Sequence, residues 1–166
     1  MRTTTQKRAT DTALFMIRTV LAAVFVFHGS QELFGWFGGY GIEGTAGFMQ
    51  TIGIPFPTLS ALLAGATEFV GGIILLVGTG TRIAAIPMAF TMLVAIATVH
   101  RGGFSAQSGG MEYPLTLGVV LVALALTGPG HFTAAGLFTG LHNRAAVSRA
   151  KRAQLTVENE AGVVAQ

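Results

Sequence analysis

Four apolar segments constrain the fold of this 166-residue chain more than any other feature of its sequence. A helix needs about 20 mostly apolar residues to cross a bilayer, and the segments lie at residues 13–34, 58–77, 83–99 and 112–127. The fourth is short but rich in Leu and Val, and it ends at Gly-Pro-Gly, which breaks a helix. The pattern predicts an all-α fold, an integral membrane four-helix bundle.

The composition supports a membrane protein. Charged residues make up 10% of the chain, whereas soluble proteins carry about 25%. The absence of cysteine excludes disulfides, thiolate metal sites and iron–sulfur clusters held by this chain itself. The net charge is +3, but the basic residues lie at the chain ends and beside apolar segments, which is typical of a cytoplasmic membrane face. We therefore expect the lipid bilayer as a partner and no nucleic acid.

The basic residues also predict the orientation of the chain. With the N-terminus inside, eight of the ten Lys and Arg residues lie on the cytoplasmic side, Arg101 lies outside, and Arg18 falls within the first span. Positive charge favours the cytoplasmic side, so we expect both termini in the cytoplasm and a multi-pass protein of the plasma (inner) membrane. A cleaved signal peptide is disfavoured, because the first apolar segment is too long and is interrupted by Arg18.

The chain then divides into three parts. Residues 1–12 are predicted to form a cytoplasmic arm, 13–141 the transmembrane domain, and 142–166 a basic, partly disordered cytoplasmic tail. Within the domain, 131–141 is too short to span a bilayer and is predicted to be interfacial. The outer loop at 35–57 is rich in glycine and aromatic residues.

Two interpretations of this loop stay open. Aromatic rings favour the headgroup layer, so the loop would anchor the protein at the interface, with a short helix over 44–52 lying on the bilayer. Alternatively, the loop would form a lid over a site between the helices.

Ionisable residues inside a membrane carry a large free-energy cost, so each is expected to have a partner or a function. Glu68 lies near the middle of the second span, on a stripe of small residues at helical spacing (Ala61, Ala64, Gly65, Gly71, Gly72). Small residues mark close helix contacts in membranes, so Glu68 is predicted to face the bundle interior. It is either a structural carboxyl that fixes packing or a functional one.

Further polar residues fall in the outer half of every span. The candidate catalytic residues are His28, Glu68 and His100. The candidate residues for binding a substrate or quinone are Gln31, Glu32, Trp36, Glu112 and Tyr113. The spans lack the paired Glu-x-x-His pattern of di-metal bundles, so no metal site is predicted. Arg82 is interpreted as a marker of the cytoplasmic boundary, and Arg18 as a residue that either reaches the headgroups or pairs with a carboxylate.

Several short stretches resemble the DoxX family, in the order expected across residues 14–133. They are Phe27–Gly39, Gly53-Ile54-Pro55, Glu68–Gly72, Gly80–Ala85, Gly110–Leu115 and Gly128-Pro129-Gly130. The resemblance implies a four-helix membrane protein linked to redox metabolism or oxidative-stress defence. Family members resemble a subunit of thiosulfate:quinone oxidoreductase, and one is linked to a membrane complex with superoxide dismutase and a sulfurtransferase. Relatives commonly carry Lys where this chain has Glu32, which puts an anionic substrate such as thiosulfate in doubt.

Three functions follow as hypotheses. The first is a quinone-interacting subunit of a membrane oxidoreductase, with quinone as the candidate cofactor and His and Glu as proton donors and acceptors. The second is a non-catalytic scaffold whose tail recruits soluble redox enzymes at the cytoplasmic face. The third is a small proton-coupled transporter, although the chain shows no internal repeat of the kind many transporters have. Whether the chain is itself an enzyme, and whether it forms a homo-oligomer, stays open.

Overall fold

The computed structural model describes residues 3–136 and 139, and this part of the chain is helical, without a strand. Its five α-helices are α1 (Thr4–Phe34), α2 (Gly41–Thr51), α3 (Pro57–Val77), α4 (Thr81–Thr98) and α5 (Glu112–Thr127). Short 3₁₀ turns at Trp36–Gly38 and Ala106–Ser108 lie in the connections. The described residues do not include the basic tail predicted at 142–166. They also lack residues 1 and 2 of the predicted arm and residues 137, 138, 140 and 141 of the segment predicted at 131–141.

Three of the helices, α1, α3 and α4, are long and apolar enough to cross a membrane. The apolar helix α5 has 16 residues, a length of about 24 Å at 1.5 Å per residue. The helix α1 begins well before the span predicted at residue 13, because Thr3 and Gln6 form a capping box that starts the helix in the polar arm. The loop at 35–57 contains α2, which begins three residues before the short helix expected at 44–52.

The closest contact between helices joins α1 to α3 and is made by glycines. A Cβ placed on Gly29 would lie 2.5 Å from the backbone N of Phe69 and 2.8 Å from the carbonyl O of Gly65. Further along α3, a Cβ on Gly72 would lie 2.9 Å from the backbone N of Val26. A residue with a Cβ atom does not fit at these distances. The two antiparallel backbones therefore touch, as small residues allow in membrane helix pairs.

The other helices complete a bundle around one apolar core. The helix α5 packs along α4, and α4 packs against α3. Buried side chains from α1, α3, α4 and α5 form a single cluster. Its fully buried large members are Phe25, Leu75, Met88, Leu121 and Leu124.

Arg18 stabilises one end of the bundle. It is 1% exposed, and its guanidinium donates hydrogen bonds to the carbonyls of Leu75, at 2.5 Å, and Phe132. The interpretation that Arg18 reaches the headgroups is therefore wrong, and its partners are carbonyls rather than a carboxylate. A guanidinium suits this place, because the last carbonyls of a helix lack intrahelical partners and carry partial negative charge.

Arg82 lies at the same end, which we call the arginine end of the bundle. Its Nη2 donates to the carbonyl of Thr127, the last residue of α5, at 3.2 Å. The backbone N–H of His131 donates to the carboxylate of Asp11 in α1 at 2.9 Å. The starts of α1 and α4 therefore lie beside the ends of α3 and α5, and consecutive long helices run in opposite directions.

The glycine contact predicts a large effect for one added methyl group. Gly29→Ala would place its Cβ against backbone atoms of α3, which cannot move aside as a flexible side chain would. We expect unfolding in detergent, followed by circular dichroism, to show a loss of about 1–3 kcal/mol. The matched control is Gly47→Ala in α2, where a Cβ meets nothing within 4 Å. Equal stability of the two variants would contradict the backbone contact.

Candidate functional site

Two glutamates from α1 and α3 lie together at the α2 end of the bundle, where α1 ends and α3 begins. Glu68 is 5% exposed, which confirms that it faces the interior. Glu32 lies beside Gly65, because a Cβ on Gly65 would be 3.3 Å from the Cβ of Glu32. Residues three apart on a helix are neighbours, so Glu68 is one turn from that contact. The contact therefore brings the two side chains into the same interface between α1 and α3.

Neither carboxyl has its hydrogen bonds satisfied in the part of the chain that the structure describes. The Oε2 atoms of Glu32 and Glu68 are both buried and without a partner there. Buried polar atoms in native proteins are normally paired, and an unpaired one costs about 1–3 kcal/mol. A carboxyl that served only to fix helix packing would be expected to bond to a neighbouring helix. The pair can instead exchange a hydrogen bond or a proton with a ligand.

A row of aromatic rings leads to this pair along α1 and α5. The Phe37 ring stacks on Phe27 with centroids 5.1 Å apart, and Phe27 meets His28 edge to face at 5.5 Å. The His28 ring lies 6.3 Å from that of Tyr113, the second residue of α5. His28 in turn lies one turn before Glu32 on the same face of α1, at positions i and i+4. Four of the predicted site residues, from α1, α3 and α5, therefore lie in one region: His28, Glu32, Glu68 and Tyr113.

The helix α2 covers the end of this region. The hydroxyl of Thr45 donates to the backbone carbonyl of Glu32 at 3.2 Å, which satisfies one of the free carbonyls at the end of α1. Thr45 and Ala46 are buried against the bundle, and α2 packs on both α1 and α3. These contacts hold α2 against α1 and α3 beside Glu32.

Two other predicted residues, Gln31 and Trp36, hold the turn between α1 and α2. The Gln31 amide donates to the carbonyl of Phe37 at 3.4 Å. The Trp36 ring, which is 55% exposed, packs on Phe34 at a centroid distance of 4.9 Å. Phe34 also contacts Phe69, the residue after Glu68, edge to face at 5.3 Å.

His100 and Glu112 are engaged with the loop between α4 and α5. The Nδ1 atom of His100 lies 3.0 Å from the carbonyl O of Gly109. The carboxylate of Glu112 accepts a hydrogen bond from the backbone N–H of Ala106 at 3.0 Å. The structure therefore gives both side chains partners in the loop backbone, and neither has a contact that joins it to Glu68 within the described residues.

Sequence reasoning missed several residues that shape the site. Thr45 and Phe27 carry no signal of their own, because a threonine in a glycine-rich loop and a phenylalanine in an apolar span are both ordinary. The role of Gly29 had a detectable signal, namely its position one turn from Glu32 in a segment that must pack against a stripe of small residues. Over residues 3–136 and 139, no group of three or more His, Asp or Glu is arranged to hold a metal ion.

Comparison with known proteins places the chain in a family. The sequence profile described as DoxX matches residues 13–101, more than half of the chain. The chain belongs to the DoxX family. Like its relatives, this DoxX family member is a membrane protein. No solved structure matches it.

Three relatives of this DoxX family member are similar over most of their lengths. The Bacillus subtilis protein named "Putative oxidoreductase CatD" is 31% identical over 68% of this chain and 77% of its own. The membrane protein Rv3486 of Mycobacterium tuberculosis is 31% identical over 73% of this chain and 78% of its own. The inner membrane protein YphA of Escherichia coli is 24% identical over 70% of this chain and 84% of its own.

The unpaired oxygen of Glu68 predicts that an apolar residue of similar length stabilises the protein. We expect Glu68→Met to raise the free energy of unfolding in detergent by about 1–3 kcal/mol, because it removes a buried acceptor that has no partner. Glu112→Met, which loses the bond to Ala106, should lower it by about 1 kcal/mol. A fall in stability for Glu68→Met would show that Glu68 is a structural carboxyl.

Proposed function

We propose that this protein is a redox-linked membrane protein that binds a quinone or quinol at the α2 end of its bundle. The observation that carries the proposal is the buried pair Glu32 and Glu68, whose Oε2 atoms have no partner among the described residues. A membrane bundle keeps such costly groups where they have a function. The relative from Bacillus subtilis carries the word oxidoreductase in its name, which supports a redox role.

The chemistry would divide between the carboxyls and the rings around them. A quinone takes up two electrons and two protons to become a quinol, and a quinol releases them when it is oxidised. Glu68 and Glu32 would exchange the protons with the bound ring, while His28 and Tyr113 would contact it. The electrons would pass to or from a partner redox protein, so the chain would act as one subunit of a membrane oxidoreductase. The alternative of a non-catalytic scaffold, whose tail at 142–166 recruits soluble redox enzymes at the cytoplasmic face, stays a separate proposal.

A small proton-coupled transporter is the second candidate, because a carboxyl pair without partners also suits proton transfer across a membrane. The two candidates differ in what they bind and move. Proteoliposomes that carry the protein and a pH-sensitive dye inside would show proton uptake driven by a solute gradient for a transporter. A quinone-binding subunit would show none.

The only tryptophan of the chain, Trp36, provides a direct test of quinone binding. Through Phe34 it lies near Phe69 and the site, so a bound quinone should quench its fluorescence. We expect short-chain ubiquinone to quench the purified protein saturably and Glu68→Gln to weaken this binding by about tenfold, or 1.4 kcal/mol. Glu43→Gln, which removes an exposed carboxyl on α2, is the matched control. Quenching that is equal in all three proteins would exclude a quinone site at Glu68.

We also propose that all four apolar helices, including α5, span the membrane, with the arginine end cytoplasmic and the α2 end outside. In this proposal 13–141 is the membrane domain, both termini lie inside, and the loop at 35–57 lies at the outer face. The excess of Lys and Arg at the arginine end supports this orientation.

Because the chain has no cysteine, a single introduced thiol reports the orientation. We expect Ser105→Cys, in the exposed loop before α5, to react with a membrane-impermeant maleimide in intact cells. Thr10→Cys, exposed in the first turns of α1, should react only after the membrane is permeabilised. The parent protein should not react at all. The reverse pattern for the two variants would show that the termini lie outside.

A further inference from the structure

The route by which a ligand reaches Glu68 is restricted by the packing around it. A ligand cannot pass between α1 and α3, because their backbones touch at Gly29 and Gly65. At the α2 end, α2 is bonded to α1 through Thr45, and the pocket of about 410 Å³ between α2 and the start of α3 has neither Glu32 nor Glu68 in its lining. The helices α4 and α5 pack against each other, and the apolar groove of about 420 Å³ between them is lined by residues of these two helices without Glu68. These contacts leave the two seams that α1 makes with α5 and that α3 makes with α4.

The seam between α3 and α4 holds an apolar groove of about 350 Å³, lined by residues that include Ala64, Thr67, Phe90 and Val94. Glu68 is not part of its lining. Deeper along the same seam, α3 is in close contact with α4, because a Cβ on Gly71 would lie 2.5 Å from the Sδ of Met88. The groove is therefore a depression in the lipid-facing surface that stops short of the carboxyl pair.

The seam between α1 and α5 is less closely packed. Among the described residues, these two helices touch much less along their backbones than α1 does with α3 or α5 with α4. At the arginine end the seam is closed, because Gly130 packs within 3.3 Å of Leu14 when a Cβ is placed on it. At the α2 end the rings of His28 and Tyr113 meet across it. Tyr113 is 45% exposed, so the ring faces both the surroundings and the bundle.

We propose that the site is entered sideways from the lipid through the seam between α1 and α5, with His28 and Tyr113 as its gate, and that its ligand is a planar aromatic ring with polar substituents. The rings from Phe37 through Phe27 to the gate pack on one another at centroid distances of 5.1 to 6.3 Å, and Phe37, Phe27 and Tyr113 are each more than 40% exposed, so a ligand ring can pack against their outer faces. Aromatic rings favour stacked and edge-to-face contacts at such spacings. The partnerless oxygens of Glu32 and Glu68 then meet the polar groups of the ring. The ligand class rests on the proposed function, whereas the entrance does not.

The entrance is tested by closing each seam in turn in the cysteine-free chain. One double variant carries His28→Cys and Tyr113→Cys across the seam between α1 and α5. The matched control carries Ala64→Cys and Phe90→Cys across the groove between α3 and α4. Both are joined by a short, cleavable bis-thiol reagent in membranes. The readout is the modification of Glu68 by dicyclohexylcarbodiimide, a lipid-soluble carboxyl reagent, followed by peptide mass spectrometry.

We expect the reagent to modify Glu68 in the parent protein and in both double variants before they are crosslinked. Closing the seam between α1 and α5 should reduce the modification to a small fraction, and cleavage of the crosslink should restore it. Closing the seam between α3 and α4 should change nothing. If Glu68 is never modified, or if only closure of the control seam protects it, the proposed entrance is wrong.

The same crosslinked proteins separate this inference from the proposed function. The double variant lacks the two rings that the proposed function places against the quinone, so its own uncrosslinked form is the reference and is expected to bind short-chain ubiquinone more weakly than the parent. Its saturable quenching of Trp36 should be lost when the seam between α1 and α5 is closed and should return to that reference level on cleavage. If the parent binds no quinone while the seam still controls modification of Glu68, the proposed function fails and the entrance stands. If quinone binds equally with the seam open and closed, the entrance fails and the proposed function stands.

Discussion

The backbone contact between α1 and α3 determines the position of the two carboxyl side chains, Glu32 and Glu68. Because Gly29 lies against Gly65 and Phe69 without an intervening side chain, residues one turn away on each helix are brought into the same narrow interface. Glu32 and Glu68 are those residues. Bulkier residues at the contact would separate the helices and place the two carboxyls apart. The glycines thus have a role in the site as well as in packing.

The charged side chains inside the bundle are hydrogen-bonded differently at its two ends. At the arginine end, Arg18 is buried and its two Nη atoms bond to the carbonyls of Leu75 and Phe132, while its Nε has no partner among the described residues. At the α2 end, Glu68 is buried and Glu32 is partly buried, and each retains an oxygen without a partner in the described residues. A buried polar atom without a partner raises the energy of the folded state, whereas each hydrogen bond offsets that cost. Arg18 is therefore tied to the backbone of the bundle, whereas the two carboxyls keep acceptor atoms that no described residue bonds.

Hydropathy predicted the helices because the bilayer requires long apolar segments, and the stripe of small residues predicted that Glu68 faces inward. The composition of the site was harder to predict. Glu112 and Tyr113 are adjacent in sequence, yet Glu112 bonds to the loop while the ring of Tyr113 meets that of His28 on α1. Adjacent positions on a helix differ in direction by about 100°, and the rotation of α5 is set by tertiary packing. The carbonyl partners of Arg18 were equally hidden, because side-chain patterns do not show where backbone groups lack partners.

The surroundings of the carboxyl pair also restrict its ligand. Glu68 is 5% exposed and lies in an apolar bundle, so a ligand that reaches it must be stable in lipid. The pair nevertheless offers two polar oxygens, and a purely apolar molecule would leave both of them unpaired at a cost of about 1–3 kcal/mol each. A ligand with an apolar body and two polar groups satisfies both conditions. Among redox molecules soluble in membranes, a quinone has this combination, and its two oxygens are the atoms that gain and lose protons.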